Sequence, residues 1–207
     1  MNKMTTLFIG FFLTFVSGWL GLVIIPYFQI GQLKPQVNED TGESYPLVRS
    51  GLAERGKVVY EAEGCLYCHT QQLRPIDVDD DHSRGWGPRR TVARDYIYDK
   101  PVLLGTMRTG PDLTNIGKRQ PNEQWQYIHL YQPQIYTKES IMPPYQYLFT
   151  VRKIEGARSP DALDLPAPYA PASGYEVVPT DDARALVAYL KSLDHTYALP
   201  EAPLPKD

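Results

Sequence analysis

Gly64-Cys65-Leu66-Tyr67-Cys68-His69 is the stretch on which the reading of this chain turns. Two thiols three apart, followed at once by a histidine, match the C-x-x-C-H pattern of haem attachment. The spacing has a physical reason. One helical turn sets both sulfurs along a single face, where they can form thioethers to two vinyl groups, while His69 turns up beneath the iron as proximal ligand. Two other chemistries share part of the pattern. A redox dithiol also uses C-x-x-C, but it does not need the histidine that follows. A zinc site needs two further ligands, yet there is no second cysteine pair, and His82, His129 and His195 are scattered singly. Cys65 and Cys68 are the only cysteines, which excludes a disulfide framework.

Outward from the motif the pattern is helical. Residues 52–63 (LAERGKVVYEAE) read as an amphipathic helix, with Leu52, Gly56, Val59 and Tyr60 three and four apart. Toward the other end, Thr180-Asp181-Asp182 offers an N-cap and first-turn acids. The run ARALVAYLKSL then places Leu186, Tyr189, Leu190 and Leu193 on one side. Gly56 would let two such helices cross closely, with Tyr189 or Tyr60 filling the contact; the same spacing also describes an ordinary core.

A haem iron in an electron carrier takes a sixth ligand, and a methionine sulfur raises its potential. Met1 and Met4 precede a long apolar run, so Met107 and Met142 are the candidates. Met142 stands in SIMPPYQYL, where Pro143 and Pro144 stiffen an extended loop, and it is the favoured one. Met107 precedes the Gly110-Pro111-Asp112-Leu113 turn. Core filling is the competing role for either.

The apolar run covers residues 7–25, LFIGFFLTFVSGWLGLVII, without charge or proline. As a helix it reaches roughly 28 Å, close to the thickness of a bilayer's hydrocarbon core. Trp19 and Tyr27 stand near its distal end, where amphipathic rings favour the headgroups. A cleaved signal peptide is disfavoured, because the run is too long and no A-x-A-like site follows it. Lys3 and Lys34 flank it about equally, so charge does not set the orientation. Gly10, Thr14 and Gly18 form a weak small-residue row.

The expected organisation is an anchor over residues 1–30, a polar linker over 31–50, a haem domain over 51–195 and a tail over 196–207. The Pro/Ala-rich stretch 152–179 reads as an irregular insertion, and 19 prolines in the chain point to long loops. A net charge of −3 gives nucleic-acid binding no support. The charge is unevenly spread, however. Residues 82–120 hold eight Lys/Arg against three Asp, and residues 154–207 hold nine acids against four bases.

GKVVYEAEGCLYCH, GPDLTNIG, IMPPY and ALVAYLKSL, in that order, resemble a class I cytochrome c. With the anchor and the run RTGPDLTNIGKRQPNEQWQYIHLYQP, they narrow the resemblance to the membrane-anchored monohaem subunit (subunit II, the O subunit) of cbb(3)-type cytochrome c oxidases. The fold class so implied is all-α, a class I cytochrome c domain with long loops behind a single transmembrane helix. The resemblance also implies one covalent haem c on Cys65 and Cys68, with His69 and Met142 ligating iron. Pro111 would abut His69 and orient it through its carbonyl. The chain would be single-pass in the inner membrane with its haem domain in the periplasm. Electrons would pass from a dihaem partner or soluble cytochrome to the haem–copper catalytic subunit. The stretch 152–179 departs from the family pattern.

Haem propionates need cationic or hydrogen-bonding partners. Arg108 leads the candidates, ahead of Arg74 and Arg89; a solvated cluster or a docking face competes. Asp77, Asp79, Asp80 and Asp81 lack the glycine and distal glutamate of a calcium loop and read as solvated. No triad, phosphate loop or dinucleotide pattern appears. The chain is therefore expected to carry electrons, with catalysis belonging to the complex. Competing functions are an anchored cytochrome serving another complex, such as a nitric-oxide reductase, and a haem-based sensor.

Overall fold

The structure, a computed structural model, describes residues 3–39, 41–78 and 81–205. The chain divides into two compact units: Met1–Pro46 with Val92–Tyr98, and Leu47–Thr91 with Asp99–Asp207.

The first unit begins with α1 (Met4–Trp19), continues through a π-helical turn (Leu20–Ile24), and ends in α2 (Ile25–Ile30). Together these make one 27-residue helix, long and apolar enough to cross a membrane, with none of its apolar window buried in the protein. Two hydroxyls on it are satisfied internally: Thr14 Oγ1 donates to the Gly10 carbonyl and Ser17 Oγ to the Thr14 carbonyl, both at 2.9 Å. That is the arrangement a hydrocarbon environment demands of polar side chains. Beyond it, β1 (Gln36–Val37) and β2 (Ser44–Tyr45) pair antiparallel within the stretch expected to be a plain linker.

The second unit is organised by two helices. α3 (Gly51–Ala62) is capped by Ser50, whose hydroxyl accepts from the Ala53 N–H, and α6 (Asp181–Ser192) by Thr180, which accepts from Ala183. They cross where Gly56 meets Ala185. A Cβ on Gly56 would lie 1.8 Å from the Ala185 carbonyl oxygen, so only glycine allows this approach. The rings of Tyr60 and Tyr189, both fully buried, lie 5.3 Å apart beside it. α4 (Ile116–Arg119) and α5 (Glu123–Tyr131) complete the helical wall, and Leu113, Ile128, Leu130, Leu186, Leu190 and Leu193 are among the core they enclose.

The all-α class does not hold. Helix makes up 38% of the chain and strand 8%, so the fold is mixed. The stretch read as an irregular insertion is bracketed by β3 (Phe149–Lys153) and β4 (Tyr175–Pro179), paired from Phe149↔Pro179 to Lys153↔Tyr175. Both segments are β-branched and aromatic in the manner of strands. The 21 residues between them carry no short turn signal, which hides the pairing from a local reading. Glu176 is buried on this hairpin, held by the Ser159 N–H at 2.7 Å and by Arg152 at 2.8 Å. The last segment is no loose tail either, since Leu199 and Ala202 are buried.

Candidate functional site

α3 runs almost directly into a single 3₁₀ turn, Cys65–Tyr67. The Cys68 and His69 N–H groups both donate back to the Cys65 carbonyl, at 3.2 and 2.9 Å, which keeps the motif compact. A second loop is laid along it by main-chain bonds. Gln71 N donates to Leu104 O, Thr106 N to Leu66 O, Gly110 N to Cys68 O, and Leu113 N to Thr70 O. Gly110 passes so close to the imidazole that a Cβ there would sit 2.3 Å from His69 Cε1.

The loop then delivers a carbonyl. His69 Nδ1 lies 2.7 Å from Pro111 O. A carbonyl only accepts, so Nδ1 carries the proton and Nε2 keeps its lone pair for a metal. Burial lowers the pKa of His69, outweighing the opposing pull of the Pro111 bond and the Asp112 charge, and this favours the neutral, ligating form. Asp112 explains the acid in GPDL. Fully buried, it accepts from Thr70 Oγ1 (2.6 Å), Gln72 N (2.8 Å) and Thr114 N (2.8 Å), and so fixes the loop that carries Pro111.

Cys65, His69, Pro111 and Met142 line one cleft. Its walls are otherwise mostly apolar, with Leu113, Ile116, Leu130, Leu186 and Leu190 among them. Met142 is held from behind: Gln134 Nε2 donates to Ser140 O (2.7 Å) and Met142 O (3.3 Å), and Met142 N donates to Ser140 Oγ (3.3 Å). Met107, the other candidate, is 59% exposed and does not line the cleft. Cys68 is exposed and likewise lies outside the lining.

The donor set decides what fits. One imidazole with a free nitrogen and one thioether on the lining of a mostly apolar cleft are the donors a metallo-macrocycle takes. Among the described residues no group of three His, Cys, Asp or Glu comes together, so the ordinary zinc donor set is missing. Burial pushes the Cys65 thiol up to about 12, the reverse of the lowered pKa a reactive dithiol requires.

Arg108 is already engaged. Its Nη1 and Nη2 donate to the two carboxylate oxygens of Asp81 at 2.5 and 2.9 Å, its Nε to Thr70 Oγ1 at 3.0 Å, and its Nη2 to Gln72 O. Its charge is thus neutralised by a carboxylate that is itself buried. The loop reading of Asp81 is corrected accordingly: it is a buried anchor that also accepts from Arg74 N, while Asp79 and Asp80 lie outside the described residues. Arg89 is buried against the Tyr197 ring and donates to Tyr197 O.

Sequence reasoning missed two residues here. Arg119 lies close enough to His69 to act on its protonation; it donates to the Asp112 carbonyl, and its Nε is buried without a partner. His129 faces the cleft from α5 with its ring stacked on Trp125, 4.7 Å between centroids and 8° between planes. The available signals were the basic GKR that closes the GPDLTNIGKR run and the Trp125/His129 spacing of four on a helix.

His69, fixed in one tautomer, and Met142 thus line one mostly apolar cleft. The chain belongs to the family described as cytochrome c oxidase, mono-heme subunit/FixO, whose model matches residues 1–165. It is thus of the family of a single-haem cytochrome oxidase subunit, with one apolar N-terminal helix suited to a single-pass anchor. No curated protein matches the chain.

Proposed function

We propose that the chain is the electron-transfer subunit of a cbb(3)-type haem–copper oxidase. In this reading Cys65 and Cys68 hold one haem c covalently, His69 and Met142 are its axial ligands, and the haem domain faces the periplasm. The observation that carries it is the 2.7 Å bond from His69 to Pro111, which leaves Nε2 aimed for coordination in the cleft that Met142 shares.

A bound haem supplies a one-electron iron couple. The protein's own residues do the rest. Pro111 fixes the imidazole and strengthens it as a donor. Met142 would hold the iron through its sulfur, which would favour a high potential and leave no site for substrate. The leucine and isoleucine walls exclude water and lower the local dielectric. Arg119, whose charge acts on His69, joins Arg108 as a candidate cation for a propionate. The anchor keeps the chain at the membrane beside the haem–copper subunit, which takes electrons that a dihaem partner or soluble cytochrome delivers.

Pyridine-haemochrome analysis of the purified chain tests the site: one c-type haem per chain is expected, and Cys65→Ser together with Cys68→Ser should abolish its covalent retention. Purification of the intact membrane complex tests the assignment. Co-purifying haem b and copper with oxygen consumption supports it, and a complex lacking both sinks it.

A further inference from the structure

The cleft wall contains one polar group that the reading above leaves unused. His129 lines the cleft, and its Nδ1 is buried without a hydrogen-bond partner. The ring is not free to turn away from that position. Trp125 lies flat against it, and Tyr136 stacks on Trp125 in turn, 5.3 Å between centroids and 20° between planes. An orphaned buried polar atom costs on the order of 1–3 kcal/mol unless something answers it. Most of the residues lining the cleft with it, Ile116 and Leu130 among them, are apolar.

Resting on the haem reading, the geometry points to a specific partner. A haem offers polar atoms in only two places, the metal and the two propionates. The metal is taken by His69 and Met142. We propose that His129 is a positioning residue which donates its Nδ1–H to a haem propionate, with Trp125 and Tyr136 clamping the ring for that contact. The bond spreads the carboxylate's negative charge, so it raises the potential of the iron.

The test uses the full-length haem-loaded chain in detergent. In the unaltered protein, labelled with ¹⁵N-histidine and held in the reduced diamagnetic state, the His129 Nδ1 proton should exchange slowly and show a nuclear Overhauser contact to a propionate methylene. Absence of that contact overturns the proposal without needing any variant. His129→Phe should lower the midpoint potential and shift the propionate bending band in the resonance Raman spectrum. His129→Gln, which keeps a donor, should recover part of both. Equal changes in the two variants would show a packing role and overturn the proposal, as would no change in either. Loss of the low-spin spectrum in His129→Phe but not in Met142→Ala would make His129 the iron ligand and overturn it as well. Absence of covalent haem from the unaltered chain would overturn the functional reading instead, so the two failures are distinct.

Discussion

Nδ1 of His69 and the carbonyl oxygen of Pro111 stand 2.7 Å apart, across a loop whose preceding residue, Gly110, has no room for a methyl group. Ring and carbonyl are set against each other by four main-chain bonds between residues 66–71 and 104–113. The imidazole is therefore oriented by contacts within the protein itself.

Gly110→Ala should break this arrangement. Its Cβ would press on His69 Cε1, and relieving the overlap must move either the ring or the loop, typically at about 1–3 kcal/mol. The expected result is reduced haem incorporation by pyridine haemochrome and a lower midpoint potential in whatever fraction loads.

The two methionines should separate cleanly. Met142→Ala removes a thioether from the cleft and should abolish the sulfur-to-iron charge-transfer band while lowering the potential. Met107→Ala, at an exposed position, should leave both unchanged and cost under about 0.5 kcal/mol in thermal unfolding. The reverse pattern would reassign the ligand.

A buried ion cluster should make stability acid-sensitive. Asp99 accepts from Arg49 at 2.5 Å and Lys57 at 3.0 Å, with all three side chains at least nine-tenths buried. Burial alone would raise its carboxyl, but those two bonds and charges outweigh it and hold the pKa below the ordinary value. The resulting stability is fully present above the unfolded pKa of about 4 and is lost as pH falls through the lower folded value. Asp99→Asn should flatten that acid limb of a denaturation-against-pH curve. At neutral pH it should cost about 3–5 kcal/mol, because buried Lys57 loses its counter-charge and Arg49 keeps only the half-exposed Glu54 at 3.6 Å.

Gly56→Val should destabilise more than any surface change. Even the first added carbon would overlap the Ala185 carbonyl, and a branched side chain also meets Tyr189 Cβ, so α3 and α6 must separate. We expect a loss above about 3 kcal/mol in chemical denaturation.

What the sequence made legible were features whose cause is local. The compact turn at residues 65–67, the apolar N-terminal helix, α3 and α6 each follow from spacing, caps or a run of apolar residues. The β3–β4 hairpin was not legible, because the partner of Val151 is Val177 and no short turn lies between them. The pairing of Arg108 was hidden for a related reason. Its carboxylate, Asp81, is 27 residues earlier in a loop that looks solvated until the chain folds over it. His129 was visible only as a lone histidine, since nothing local to α5 says that it lines the same cleft as His69.

The Gly56 crossing has one more effect. α3 leads into Cys65 with only two intervening residues, so the contact that seats the two helices also sets the height and tilt of the platform carrying the motif. A core substitution that prises α3 from α6 by a fraction of an ångström would tip that platform while the fold still stands. The absorption spectrum of the loaded protein is then a built-in strain gauge, changing colour at mutational loads that leave calorimetry silent.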